Sequence, residues 1–279
     1  MTTYLPADPV APDILEAMEQ SERRFRGRRR RSGLLVRVLQ VSSFLVVLLL
    51  WQLAVDSGLG KELFFSKPTL VATFVGDNWD LLVDNTVVTM RATAVGFLIG
   101  SLSGIAVALL MARFVMLDRV LQPWISVLMS LPRIALAPLF LLWFGITETS
   151  KVALAVSLVF FMVLVSTLAG MRTLDPDLRA LAKAFHASEL QTFTKIVLPA
   201  AVPGIFAGLR LGVVTAILGV VSSEMVASSS GLGQQIVLYG QNLNSAGVFA
   251  VLLFLAVITT GLNALVGGLE RWLLRWQAN

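Results

Sequence analysis

The sequence predicts an all-α integral membrane protein with six transmembrane helices. Of its 279 residues 56% are hydrophobic and only 14% charged, against roughly 25% charge in soluble domains. The apolar residues fall into runs of about 20, enough to cross ~30 Å of hydrocarbon. The basic residues, in turn, concentrate in alternate connections. A soluble domain would need more polar surface than this chain carries, and disorder is excluded by the abundance of apolar side chains. There is no cysteine, and His186 is the one histidine. Disulfides, thiol catalysis and cysteine or histidine metal clusters are therefore excluded.

Residues 1–33 form a basic arm, with Pro6, Pro9 and Pro12 followed by an arginine run from Arg23 to Arg31. No folded module surrounds the run, so it reads as a poorly ordered cytoplasmic anchor on anionic lipid and not as a nucleic-acid site. Residues 34–279 read as a single transmembrane domain. Its spans are expected at Val38–Val55, Ala92–Ala112, Val120–Gly145 (interrupted at Pro132), Val152–Gly170, Ile205–Val226 and Gly247–Leu269. Sixteen of the 22 lysines and arginines fall on the side shared by both termini, which places both termini in the cytoplasm. Segment 68–85 alternates Leu70, Phe74, Leu81 and Leu82 with Asp77, Asp80 and Asp84, the pattern of an amphipathic helix at the outer surface.

Two stripes of small residues recur at every fourth position: Gly96, Gly100 and Gly104, then Gly204, Gly208 and Gly212. Lipid gives no hydrophobic reward for helix association, so such stripes predict close helix packing. Whether the partner lies in the same chain or in a second copy is left open. Ionisable residues within spans point to function. Arg133 follows Pro132 halfway along the third span; it either faces a water-filled path, where it would attract an anion, or bonds the carbonyls freed at the kink. Arg210 and Glu224 are 14 residues apart, about 21 Å, too far to pair. Glu224, beside Ser222 and Ser223, either lines a cavity or caps the following loop. Arg133, Ser222, Ser223 and Glu224 are the substrate-path candidates.

Residues 172–199 form a cytoplasmic loop with two short helices. Asp175-Pro176-Asp177 opens the first, whose apolar face carries Leu178, Leu181, Ala182 and Phe185. After a break at His186-Ala187-Ser188 the second runs from Glu189 through Phe193 to Ile196, and Leu198-Pro199 is expected to end it. Helices this short need a docking partner. The chain supplies no nucleotide site of its own: Gly60-Lys61 is followed by Glu62, and Val55 stands where the first phosphate-loop glycine belongs.

The run Leu181 to Ser188, with Gln191 to Ile205, resembles the coupling loop of type I ABC-importer permeases. Leu136-Ala137-Pro138-Leu139, Leu142-Trp143-Phe144-Gly145-Ile146, Gly208-Leu209-Arg210 and Ser223-Glu224-Met225-Val226 with Ser229-Ser230-Gly231-Leu232-Gly233 extend the match to the nitrate/sulfonate/taurine branch over residues 64–276. Two positions depart from the pattern. Ala180-Leu181-Ala182 stands where the loop has Glu-Ala-Ala, and His186 where it has glycine. The resemblance implies a MetI-like permease subunit of the bacterial plasma membrane, paired with a second copy and non-catalytic. It also implies two cytosolic ATPase subunits that hold ATP and Mg, engaged by the loop residues from Leu178 to Pro199, while the chain itself binds no cofactor or metal. A solute-binding protein would deliver a small anion such as a sulfonate or nitrate. A secondary transporter working without an ATPase is the competing reading; no internal repeat supports it.

Overall fold

The computed structural model describes residues 35–58, 62–174 and 176–274. The basic arm lies outside them. The chain divides into two units at Lys61. In the first, α1 (Leu35–Asp56) is a 22-residue apolar helix, with Leu39, Val41, Phe44 and Val47 exposed as a lipid-facing surface requires.

The second unit begins with the four-residue α2 (Glu62–Phe65) and with α3 (Pro68–Asp77). Asn78 interrupts the helix at φ −119° and ψ 23°, its side-chain amide donating to the Phe74 carbonyl at 3.0 Å. The chain then enters α4 (Trp79–Arg113), 35 residues or about 52 Å long. The segment expected as one amphipathic helix over 68–85 is thus divided, and its second half forms the first turns of α4. The physical reason is burial: Leu82 is wholly enclosed and Asn85 nearly so, while Trp79 packs edge-on to Phe254 at 5.6 Å.

The third span is α5 (Val115–Ser130), a 3-10 turn (Arg133–Leu136) and α6 (Ala137–Phe144), bent by 83°. Leu131 is extended because it precedes Pro132, which disfavours helix at the residue before it. Then come α7 (Glu148–Arg172), α8 (Pro176–Ala184), α9 (Glu189–Thr192), a π turn (Phe193–Val197), α10 (Leu198–Val226), α11 (Leu232–Gln241) and α12 (Ser245–Leu273). Counting the bent pair as one, the described residues hold six segments long and apolar enough to cross a membrane.

The small-residue stripes set the packing. A Cβ on Gly96 would lie 2.6 Å from the Ala155 Cβ, one on Gly100 2.8 Å from that of Val159, and one on Gly104 2.7 Å from the Phe160 carbonyl. Contact numbers rise together along both helices, so α4 and α7 run parallel. The other stripe descends: Gly204 meets Gly170, Gly208 meets Ser166 and Val163, and Gly212 meets Val163 and Val159. Hence α10 is antiparallel to α7. Both stripes find their partner in the same chain, on the two flanks of α7, whose Leu154, Ala155, Val159, Val163 and Leu164 are wholly buried. Parallel α4 and α7 require the bent α5–α6 segment to carry the chain across the bilayer once.

The expected stop at Leu198-Pro199 does not occur. Residues Glu189–Val226 run as one apolar helical stretch of 38 residues. Pro199 falls within the first two positions of α10, directly after the π turn. There the Leu198 N–H reaches back to the Phe193 carbonyl, so the wider turn lets the helix pass its prolines.

Candidate functional site

Arg133 sits at the bend of the third span. Its guanidinium lies 4.5 Å from the centre of the Phe161 ring and donates to the Ser157 carbonyl at 3.4 Å. Both partners belong to α7, so a cation–π contact and a carbonyl bond fix the bend against the central helix. Arg133 also borders a cavity of about 270 Å³ walled by Leu131, Pro132, Ile134, Leu158, Met162 and Thr215. The two sequence readings of Arg133 therefore coexist: it bonds a carbonyl, and it faces a cavity. The walls are apolar apart from Thr215, whose hydroxyl is turned back to the Gly212 carbonyl.

Glu224 is enclosed at the other end of α10, near the start of α7. Lys151 Nζ donates to its Oε1 at 3.1 Å, the Thr89 hydroxyl lies 3.0 Å from Oε2, and the Gly233 N–H donates to Oε2 at 2.9 Å. Lys151 Nζ also donates to the Ser230 carbonyl at 3.0 Å. Successive N–H groups at the α11 start are taken by side chains of α4 and α10: Gly231 by Asn85 Oδ1 at 2.7 Å, Leu232 by Thr89 Oγ at 2.8 Å, and Gly233 by Glu224. The carboxylate is thus a cap for α11 at its positive end. Gly231 has φ +112°, and a Cβ there would overlap the Glu224 carboxylate. Ser223 is fully buried with no partner for its hydroxyl among the described residues, and Ser222 is half-buried.

Sequence reasoning missed Lys151, Thr89 and Asn85. Lys151 is a charge in the first turn of α7, yet it is only 7% exposed. A usable signal existed for the other two: Asn85 and Thr89 continue the helix face of the α4 stripe upstream of Ala92 and Gly96, at successive spacings of four, three and four residues. Arg210, like Glu224 an ionisable residue inside a span, is paired across helices with Glu270 of α12 at 2.7 Å.

At the α7 C-terminal end, α8 leaves Leu178, Leu181 and Phe185 exposed at 45, 53 and 78%, while Ala182 is buried. His186 takes φ +53°. The Ala187 N–H then bonds the Ala182 carbonyl at 2.9 Å, a helix stop that ordinarily uses glycine. Ser188 starts α9 with a capping box: its Oγ accepts from the Gln191 N–H, and its own N–H donates to Gln191 Oε1 at 2.8 Å. Glu189 pairs with Arg113 of α4 at 2.8 Å. Phe193 and Val197 pack onto Met111, Leu168 and Met171, whereas Leu198 and Pro199 are half-buried inside the continuous helix.

A three-helix core, a span broken at Pro132 and two short helices between α7 and α10 accord with the permease subunit of an ABC importer, the class to which the family match assigns the chain. The chain belongs to the family of binding-protein-dependent transport system inner membrane components, whose profile matches residues 96–276. Its relatives place it in the nitrate/sulfonate/taurine branch. The SsuC protein of Bacillus subtilis (strain 168), which carries the name of an aliphatic sulfonates transport permease, is 32% identical over 83% of this chain and 85% of its own. The riboflavin transport system permease RibX of Chloroflexus aurantiacus is 31% identical over 85% and 89%. The nitrate import permease NrtB of Leptolyngbya laminosa is 28% identical over 81% and 83%. In fold, the chain resembles the MetNI methionine ABC transporter in its inward-facing conformations, with TM-score 0.62 and 20% identity over 70% of this chain and 97% of that one. The protein is accordingly a multi-pass plasma-membrane component of an ABC importer, a class that works with an ATPase and a binding protein.

Proposed function

We propose that two copies of this chain form the translocation path for a small anionic solute, such as a sulfonate, nitrate or related organic anion. A solute-binding protein delivers it on the outer side, where α7 begins, and both termini are cytoplasmic. Two cytosolic ATPase subunits hold the ATP and Mg, and this chain, itself without cofactor or catalysis, receives their motion through α8. The observation that carries the anion reading is Arg133: a cation beside a mid-span cavity attracts negative charge strongly because apolar walls screen it weakly. The names of SsuC and NrtB agree with an anion. The exposed Leu178, Leu181 and Phe185 support the coupling reading, since an unpaired apolar helix face calls for a groove.

Uptake into proteoliposomes reconstituted with the ATPase and binding protein tests the anion path. Arg133→Gln should slow ATP-driven uptake of an alkanesulfonate or nitrate by about tenfold or more; undiminished uptake removes the reading. Replacing Leu181 and Phe185 by aspartate should abolish ATP-driven uptake, and uptake that persists would remove the coupling role of α8.

A further inference from the structure

Where α7 begins, a second cavity of about 190 Å³ lies between α4, the first turn of α7 and the loop before α11. Its chemistry differs from that of the Arg133 cavity. Arg91, Lys151, Thr147, Glu148 and the turn Ser228–Ser230 contribute to its wall. Two of these are cations and one is an acid. Glu148 lies 3.2 Å from Arg91 Nε, and no hydrogen bond engages the terminal guanidinium nitrogens of Arg91 among the described residues. Lys151 spends two of its three N–H groups on Glu224 and Ser230. Ser229 is exposed at the rim, and the Ser228 hydroxyl bonds the Ser230 carbonyl at 2.6 Å, fixing the turn's shape. The wall therefore offers the terminal guanidinium nitrogens of Arg91 and the third N–H of Lys151 as donors, beside the carboxylate of Glu148. Its geometry is set from behind, because Lys151 is immobilised by the enclosed carboxylate of Glu224.

We infer that this cavity is a binding site for a small oxyanion, with Arg91 and Lys151 as its cationic ligands and Ser229 at its mouth. The volume fits a nitrate or a short alkanesulfonate. The site lies on different elements from Arg133 and does not depend on that residue's role in the path.

The absence of cysteine makes a direct test available. Ser229→Cys places one thiol at the rim of the full-length permease in nanodiscs, where both membrane faces are reachable. Its modification rates by 2-sulfonatoethyl and 2-(trimethylammonio)ethyl methanethiosulfonate are each divided by the rate for a free thiol. The anionic reagent should be favoured about fivefold or more. Methanesulfonate or nitrate at 10 mM, with ionic strength held constant by gluconate, should slow it at least about twofold. Adding Arg91→Gln should remove both effects, and adding Arg133→Gln should leave both in place. The inference is overturned by equal normalised rates, by absence of anion protection, by protection that survives Arg91→Gln, or by protection lost in Arg133→Gln.

Discussion

Replacing Lys151 by methionine keeps an unbranched apolar stem and removes the ammonium with its bonds to Glu224 and to the Ser230 carbonyl. Glu224 would then remain an enclosed carboxylate, its side chain 0% exposed, with Thr89 and the Gly233 N–H as its remaining donors. Removing one partner of a buried ion pair costs about 3–5 kcal/mol, because the other charge is left uncompensated. Replacing both partners by neutral groups of similar shape costs far less. Lys151→Met should therefore destabilise the protein by about 3 kcal/mol, a fall of roughly 6–12 °C in Tm for a chain of this size. Lys151→Met with Glu224→Gln should recover at least half of that loss, since glutamine still offers Gly233 a carbonyl acceptor. Thermal unfolding in detergent, followed by tryptophan fluorescence across the two single variants and the double, gives the coupling energy directly. Additive losses, or a Tm unchanged in Lys151→Met, would refute the assignment of the pair as the anchor of the α11 start.

Other outcomes follow from the same structure. His186→Gly should stabilise the loop by about 1 kcal/mol, because φ +53° is unfavourable for a side chain with a Cβ; slower amide exchange around Ala182 and Ala187 reads this out. Gly204→Val should destabilise by about 2–3 kcal/mol, since its Cβ would stand 2.7 Å from the Gly170 Cα and 2.8 Å from the Ser166 carbonyl, both backbone atoms. An unchanged Tm would mean that α7 and α10 separate without loss. At the exposed end of the scale, Arg91→Gln should shift Tm by no more than about 1 °C, as its pairing with Glu148 is solvent-exposed.

Much of this fold was legible in the sequence because the bilayer imposes strict rules. The spans follow from apolar runs, the break in the third from Pro132, and the close packing from the glycine spacing. Burial of individual polar groups was harder to read. Lys151 lies just past the start of its helix, where a charge normally meets water, and only the fold brings the distant Glu224 and Ser230 around it. The division of segment 68–85 escaped for a similar reason. Its alternation of leucine and aspartate suits a surface helix, whereas burial of Leu82 and Asn85 is decided by α4 lying along the bundle. The passage through Pro199 is made by a π turn over Phe193–Val197, and Phe193 and Val197 pack into a cluster drawn from distant parts of the sequence. In the α8–α9 loop the residues themselves were informative, since Ser188 with Gln191 is a local capping signal and His186 a local helix stop.

The glycine seams of α7 have a mechanical consequence. Backbones in direct contact at Gly170–Gly204 leave no side chain between them to rearrange, and at the far end the same two helices are pinned by Lys151 and Glu224. Close-packed interiors have low compressibility and transmit strain. A displacement of α9, which continues through the π turn into α10, is thus conveyed along the whole helix to the start of α11 with little slack. The trio α4, α7 and α10 behaves as a stiff lever arm, and Arg133 ties the bend of the third span to it through Phe161 and the Ser157 carbonyl.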